Sequence, residues 1–409
     1  MSHREPVDVA VIGAGVIGAA TAYHLSLLDP KLRIAVLEAD HVGSGSTARS
    51  FAAYRKQFRS RVHILSSVIS QRELEGFEKI AGYSAGMRKI GYLFLYTDQE
   101  KLDQAALAVA RQRELGVDDV VVLTGKQVHE KFPFVDRPLA GATWCPSDGY
   151  LDPLAIAQGY IDGAKRRGAT LETGARVTSI EVKNGVVEGV RIGGDLLRAG
   201  AVVLATGAWA RRLAPEVPIA PVKRYIYTSH RIKQRDVSEF PMTIADLGPY
   251  VRTEARVSLA FGFDERPHEP EGFPGVLGSS PLPDVPDHSI ESGYSAGDHD
   301  GYATEIMLKL SELMSFFLEE EIGLADASCG YYEITPDHRV VIDQATKVKG
   351  LFYSAGASGH GIMHGPAIGM LTADLVLGRA PRLEGAREAF ALAPLLRGEK
   401  RPDPESMII

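Results

Sequence analysis

Apolar positions change period within the first segment of the chain. Val7, Val9, Val11 and Ile12 make a short, almost continuous apolar run, and from Ala19 to Leu28 the spacing becomes helical, so the chain reads strand, turn, helix. A second buried strand follows over 33–40. Helical spacing resumes over 62–80, then a strand over 91–100, an amphipathic helix over 99–115, a strand over 120–124 and a short helix over 124–132 that stops before Pro133. Asp152-Pro153 starts a helix running to Gly168. Strands are predicted over 170–172, 177–182 and 186–192, the last two joined by the turn Asn184-Gly185. A buried strand over 202–205 then ends in the tight turn Thr206-Gly207-Ala208. The pattern from 218 to 282 is β-rich, 306–322 is helical, and 264–302 reads as a long loop of the kind found in lids and subunit contacts. The last apolar block predicts a strand over 351–354, a glycine-rich loop over 356–365 and a helix over 366–377, with Pro366 at its first position and Gly378 just past its end.

Composition narrows this little. The 409 residues are 45% hydrophobic and 24% charged, an ordinary soluble globular balance with room for two cores. A net charge of -7 without a basic face gives no support to nucleic-acid binding. The first apolar run contains glycines, Asp8 and His24 and fits neither a membrane span nor a secretory signal, so the expected location is the cytoplasm. Cys145 and Cys329 form neither a disulfide framework nor a metal-ligand pattern. Asparagine occurs only at Asn184 while proline reaches 23, a composition that predicts a thermophilic source.

The chemistry begins at the first turn. Gly13, Gly15 and Gly18 give G-x-G-x-x-G between strand and helix: one glycine for the turn, one for approach of a pyrophosphate to the backbone, one for packing helix on strand. Glu38, at the end of the second strand, is placed to accept hydrogen bonds from a ribose and disfavours a 2′-phosphate. The loop G-S-G-S-T-A-R-S that follows offers hydroxyls, N–H groups and Arg49 for the pyrophosphate and is expected to open onto a helix. A second glycine-rich loop before the last helix suits a flavin, because a helix N-terminus stabilises negative charge near N1 and C2=O of the reduced ring. His360 and His364 lie in that loop without a carboxylate pattern, and no metal site is expected.

Together GAGVIGAATAYHL with Glu38, GSGSTARS, GYLFL, DGYLDP, VVLATGAWA, GYYEITPDHRVVI and GLFYSAGASGHGIMHGPAIG resemble, in order and spacing, the D-amino-acid-oxidase-like FAD-dependent oxidoreductases. The resemblance covers nearly the whole chain and is greatest to the dye-linked L-proline dehydrogenase and sarcosine oxidase β subunits. It implies an α/β fold: a Rossmann-like FAD-binding domain of discontinuous segments (1–85, 140–217, 333–395), a smaller substrate domain with an antiparallel sheet (86–139, 218–332), and a C-terminal tail (396–409). It implies FAD contacts at Gly13, Gly15, Val16, Ile17 and Gly18, at Glu38 and Ala39, and at Gly45, Ser46, Thr47, Arg49 and Ser50. Further contacts fall at Val177, at Ala205, Thr206 and Gly207, and at Gly359, His360, Gly361, Ile362 and Met363.

The implied reaction is hydride transfer from the α-carbon of a small amino acid or secondary amine, proline or sarcosine in type, to flavin N5, giving an imine. Departures from the family pattern refine this. Tyr332 stands where the D-amino-acid and glycine oxidases carry a carboxylate-binding arginine. Gly330 aligns with the cysteine that attaches FAD in monomeric sarcosine oxidases, with Cys329 one position off, so non-covalent FAD is expected. Met363 stands where the same sarcosine oxidases have a carboxylate-binding lysine, and their oxygen-activating lysine would fall near Ala260, which favours a dehydrogenase using an artificial or protein electron acceptor. Arg55 and Arg252 are then the candidate carboxylate partners, with Tyr331, Tyr332 and His364 lining the site. A D-amino-acid, glycine or 2-hydroxy-acid oxidase, a non-catalytic FAD-binding subunit or assembly factor in a complex, and, more distantly, a nicotinamide dehydrogenase stay open as alternatives, as does assembly into a homo- or hetero-oligomer.

Overall fold

A computed structural model describes residues 4–246, 248–263, 300–403 and 405. The apolar run Val7–Ile12 is an inner strand of an eight-stranded sheet, paired in parallel with Ile34–Leu37 on one side and Asp195–Leu204 on the other. Its last four residues are buried, as expected for a strand covered on both faces. Thr170–Glu172 extends the sheet past Ile34–Leu37, Leu351–Ala355 extends it past Asp195–Leu204, and antiparallel Val341–Gln344 closes that edge. The hairpin Val177–Lys183 and Val186–Ile192 branches from Asp195–Leu204, and Asn184 and Gly185 take the positive φ values, 52° and 74°, that its tight turn needs.

The helix Val16–Leu28 is buried along most of its length against Pro153–Lys165 and Gly361–Val376. Each buried Val, Ile or Leu side chain here contributes about 1.5–3 kcal/mol. The last contact is close because Gly369 faces Ala20: a Cβ there would lie 2.5 Å from the Ala20 Cβ.

Among the described residues the second sheet also has eight strands, in the order Leu324–Ile334, Ala220–Ser229, Ser258–Phe263, Pro249–Glu254, Met242–Ala245, Tyr92–Tyr96, Gly141–Cys145, Val121–Thr124. It is antiparallel except where Met242–Ala245 runs parallel to Tyr92–Tyr96. Gly141–Cys145 pairs with Tyr92–Tyr96 and Val121–Thr124, which puts it in this sheet and not in the nucleotide-binding segment expected from residue 140. Leu324–Ile334 likewise runs two residues, Glu333 and Ile334, into the segment expected to begin at 333. Part of the C-terminal tail is anchored: Arg401 pairs with Asp337, and Glu405 accepts the Ser60 N–H at 2.9 Å.

Four expected helices differ. The helical run over 62–80 breaks at Gly76 into Arg61–Glu75 and Glu78–Ala81. The polar loop after Glu38 does not open onto a helix but forms consecutive turns, with the Arg49 guanidinium donating to the Ser44 and Gly45 carbonyls. The helix expected over 306–322 is split into Asp300–Ser311 and Phe316–Glu319, because Asp136 accepts hydrogen bonds from the Ser315 N–H (2.9 Å) and hydroxyl and draws the chain out of helical register. The last helix starts at Gly361, not Pro366, so Pro366 lies inside it. The neighbouring N–H, Ala367, donates to Ser70 Oγ at 3.2 Å, an external partner that helps the helix carry a proline there. Of the expected long loop, residues 264–299 lie outside the described residues.

Candidate functional site

The two sheets face one another across a cleft of about 590 Å³, built around the first strand-turn-helix. Gly13 turns the chain at φ 100°, and a Cβ there would sit 2.4 Å from the Ala205 carbonyl oxygen, so only glycine fits between the two strand ends. Gly18 lies behind it against the Gly13 carbonyl and packs helix on strand without lining the cleft. Ala14 N–H donates to Glu38 Oε2 at 2.7 Å and Asp40 N–H to Oε1 at 2.9 Å, which fixes the Glu38 carboxylate at the cleft wall beside Ala39. Thr47 Oγ1 accepts from the Val16 N–H at 3.1 Å, tying the polar loop to the helix N-terminus. Ser46 donates to the Tyr331 carbonyl at 2.7 Å and ties that loop to the second sheet.

Most of the residues expected to hold the cofactor meet in this cleft. Gly13, Gly15, Val16 and Ile17, the polar loop from Gly45 to Ser50, Val177, the Ala205–Gly207 turn, and Gly359, Gly361 and Ile362 line it in common. His360 and Met363 line instead a smaller chamber of about 50 Å³ that shares Ser50, Phe51, Tyr250, Tyr332, Gly359 and Ile362 with the cleft. Pattern reading missed Tyr92, Met242 and Tyr250 in the chamber, and Arg212, Arg224 and Glu333 in the cleft. The second sheet supplies several of them, and strand alternation shows which residues share a face but not which face meets the other domain.

Arg55 lines the chamber, 2% exposed. Its backbone is clamped on both sides: Ala53–Tyr54 pairs with Gly149–Tyr150, and Lys56 N–H donates to both Asp148 carboxylate oxygens at 3.1 Å. Asp148 is buried, which pushes its carboxyl up to about 6 despite the opposing Lys56. The Arg55 guanidinium lies 4.1 Å from the Phe58 ring centroid and 5.1 Å from that of Phe94, donates to the Gln57 carbonyl at 3.0 Å, and meets His360 Nε2 at 3.4 Å. Burial, then the Arg55 charge, holds His360 well below the ordinary histidine range, so its ring is neutral.

Arg252 is not brought to the chamber. It pairs with Glu254 at 2.7 Å and donates to the Phe51 carbonyl at 3.1 Å, stacked on the Phe51 and Tyr150 rings. His364 stands one layer behind the chamber, stacked on His63 with centroids 5.1 Å apart and hydrogen bonded to Ser67 at 2.8 Å. Tyr331 lines the cleft, and Tyr332 lines both cleft and chamber. Cys329 is packed in the core of the second sheet and does not line the cleft, while Gly330 beside it does. Among the described residues no three His, Cys, Asp or Glu side chains form a metal-binding group, and no helix is long and apolar enough to cross a membrane.

Two buried polar atoms on the cleft wall, Thr206 Oγ1 and Glu333 Oε2, have no hydrogen-bond partner among the described residues. With the positive lining of Arg49, Arg176, Arg212 and Arg224, they fit a long, polar, anionic ligand. Fold and cleft together define a protein with a Rossmann-like sheet and a dinucleotide-sized cleft that the second sheet also lines. The chain belongs to the FAD dependent oxidoreductase (DAO) family, whose model matches residues 8–375.

Similar proteins include FAD-dependent oxidoreductase domain-containing protein 1 of Bos taurus, 25% identical over 97% of this chain and 85% of its own length. Mitochondrial dimethylglycine dehydrogenase of Rattus norvegicus is 24% identical, over 92% of this chain and 44% of its own length. In fold the chain is similar to L-proline dehydrogenase from P. horikoshii, with a TM-score of 0.82, 24% identity, and coverage of 98% of this chain and 100% of that one. Glycine oxidase from Geobacillus kaustophilus matches with a TM-score of 0.75 and 22% identity over 95% of this chain and 99% of that one.

Proposed function

We propose that the protein oxidises a small amino acid or secondary amine, of the proline or sarcosine type, using non-covalently bound FAD. The observation that carries this reading is the chamber: a buried guanidinium, Arg55, in a small aromatic-walled space that opens on the cofactor cleft. A cation held there pairs with a substrate carboxylate, and charge-assisted bonds in a buried site are strong. Tyr92, Tyr250 and Tyr332 with Met242 and Met363 leave room for a compact apolar body and exclude water. His360, held neutral, places no second positive charge beside the substrate nitrogen, which must lose its proton before oxidation.

FAD supplies the hydride acceptor when bound. Gly13–Val16 with Thr47 would hold its pyrophosphate, Glu38 its adenosine ribose, and the Ala205–Gly207 and Gly359–Ile362 segments its flavin end. Cys329 lies in a separate core, which supports non-covalent retention. Ala260, buried in the second sheet near where the resemblance places the oxygen-activating lysine of the monomeric sarcosine oxidases, supports a dehydrogenase passing electrons to an acceptor other than oxygen.

The test is an anaerobic visible titration with proline, sarcosine, D-alanine and glycine. Proline or sarcosine is expected to bleach the oxidised flavin band, with slow recolouring in air. A yellow protein bleached by none of the four would overturn the substrate reading, and fast recolouring would overturn the dehydrogenase assignment.

A further inference from the structure

Glu333 is a buried carboxylic acid on the wall of the cleft, at the inner end of the strand Leu324–Ile334, and pattern reading gave it no role. Its two oxygens have different surroundings. Oε1 accepts the Ala357 N–H at 3.2 Å, from the loop that leads into the last helix. Oε2 is buried, has no hydrogen-bond partner among the described residues, and lies 3.7 Å from where a Cβ on Gly207 would stand. One oxygen used as an acceptor and the other left over is the arrangement of a neutral acid with a hydrogen bond to give.

Its place along the cleft tells which part of a ligand it meets. Glu38 and the Gly13–Val16 loop mark the adenosine and pyrophosphate end, and oxidation requires the flavin ring to reach the chamber holding Arg55. Glu333 follows Tyr332, which lines both spaces, and packs on the segment that reaches Gly359. It therefore belongs to the flavin half. We infer that Glu333 is a ligand of the flavin half of FAD, its protonated carboxyl donating a hydrogen bond from Oε2 while Oε1 is held by Ala357. The inference rests on the reading of the cleft as the FAD site.

The elements around Glu333 bring Lys223 and Arg224 on the paired strand, Arg212 beyond the Gly207 turn, Arg49 in the polar loop, His360 in the Ala357 loop, and Tyr331 and Tyr332 on its own strand. Burial outweighs the N–H groups of Gly356 and Ala357 and pushes the Glu333 carboxyl up to about 7. Without FAD the acid is neutral below that pH and loses its proton above it. With FAD bound, the proton is kept for the hydrogen bond, so binding takes up a proton above about pH 7 and weakens as pH rises.

FAD release can be followed by flavin fluorescence on serial dilution of the holoprotein, between about pH 6 and pH 9. The wild-type dissociation constant is expected to be flat at the acid end and then to rise by up to about tenfold per pH unit, the limit for one proton. E333Q keeps a donor and cannot titrate, so its affinity should stay flat across the range, while E333L should bind more weakly at every pH. A wild-type profile without the rise overturns the inference, and so does the same rise persisting in E333Q. Protein that holds no FAD at any pH overturns the cleft reading itself, and this inference with it.

Discussion

At the residue scale the reading turns on Arg55. The sequence offers two arginines as carboxylate partners, Arg55 ahead of Arg252, and they differ in their neighbours. Arg252 lies outside the chamber, paired with Glu254 and a backbone carbonyl, whereas Arg55 lines the chamber among aromatic rings. Replacing Arg55 by Met removes the charge and keeps much of the length. A hydrogen bond to a charged group contributes about 1.5–3 kcal/mol, so KM for an amino acid should rise about ten- to a hundredfold. An uncharged amine should be little affected, and steady-state kinetics on the two substrates checks the contrast. Arg55 was legible because it follows the second cofactor loop in the chain. Tyr92, Tyr250 and Met242 were not: they come from strands remote in sequence, and even within GYLFL the pattern makes Tyr92 only a strand position.

The elements show where local rules met tertiary competition. Pattern and capping placed most helices and strands within a few residues, including the Asp152-capped helix Pro153–Lys165 and the Asn184-Gly185 hairpin. The last helix begins five residues earlier than Pro366 suggested, which makes His360 its cap and moves His364 from a loop to its first turn. The approach to this helix passes Gly359, at φ 85°, where a Cβ would lie 2.4 Å from the Tyr332 ring. Gly359→Ala must strain the backbone or push back the ring that borders both cleft and chamber, at a cost of about 1–3 kcal/mol. Its expected outcome is a lower thermal midpoint together with weaker FAD retention, read by calorimetry and by flavin fluorescence on dilution. Unchanged FAD retention would mean that this wall adapts without cost to the site.

Across the whole molecule, buried titratable groups link the site to stability. His360 and His364 are held neutral by burial, well below the ordinary histidine value of 6.5. In the unfolded chain they gain protons as pH falls through that value, so the stability they allow at neutral pH is lost on acidification. Asp148 and Glu333, raised to about 6 and about 7, act in the opposite sense: they hold protons in the fold that the unfolded chain has released, and the fold gains on acidification over the same range. His364→Gln removes one destabilising proton uptake. Between about pH 7 and pH 5 its urea midpoint should therefore shift towards greater stability relative to the shift in wild type. Equal shifts in both proteins would show that His364 does not titrate differently in the fold.

The chain by itself determined the nucleotide half. A strand, three spaced glycines, a helix and Glu38 are contiguous, and each follows from a local requirement: a turn only glycine can make, a close approach, an acid at a strand end. Tertiary structure decided the rest. Which arginine faces the chamber, which face of the second sheet covers the cleft, and where the last helix begins depend on contacts between segments far apart in sequence. Glu333 is the clearest case: in the chain it is one acid in a β-strand, and only the Ala357 loop and the Gly207 turn folding around it bury the carboxyl on the wall of the cleft.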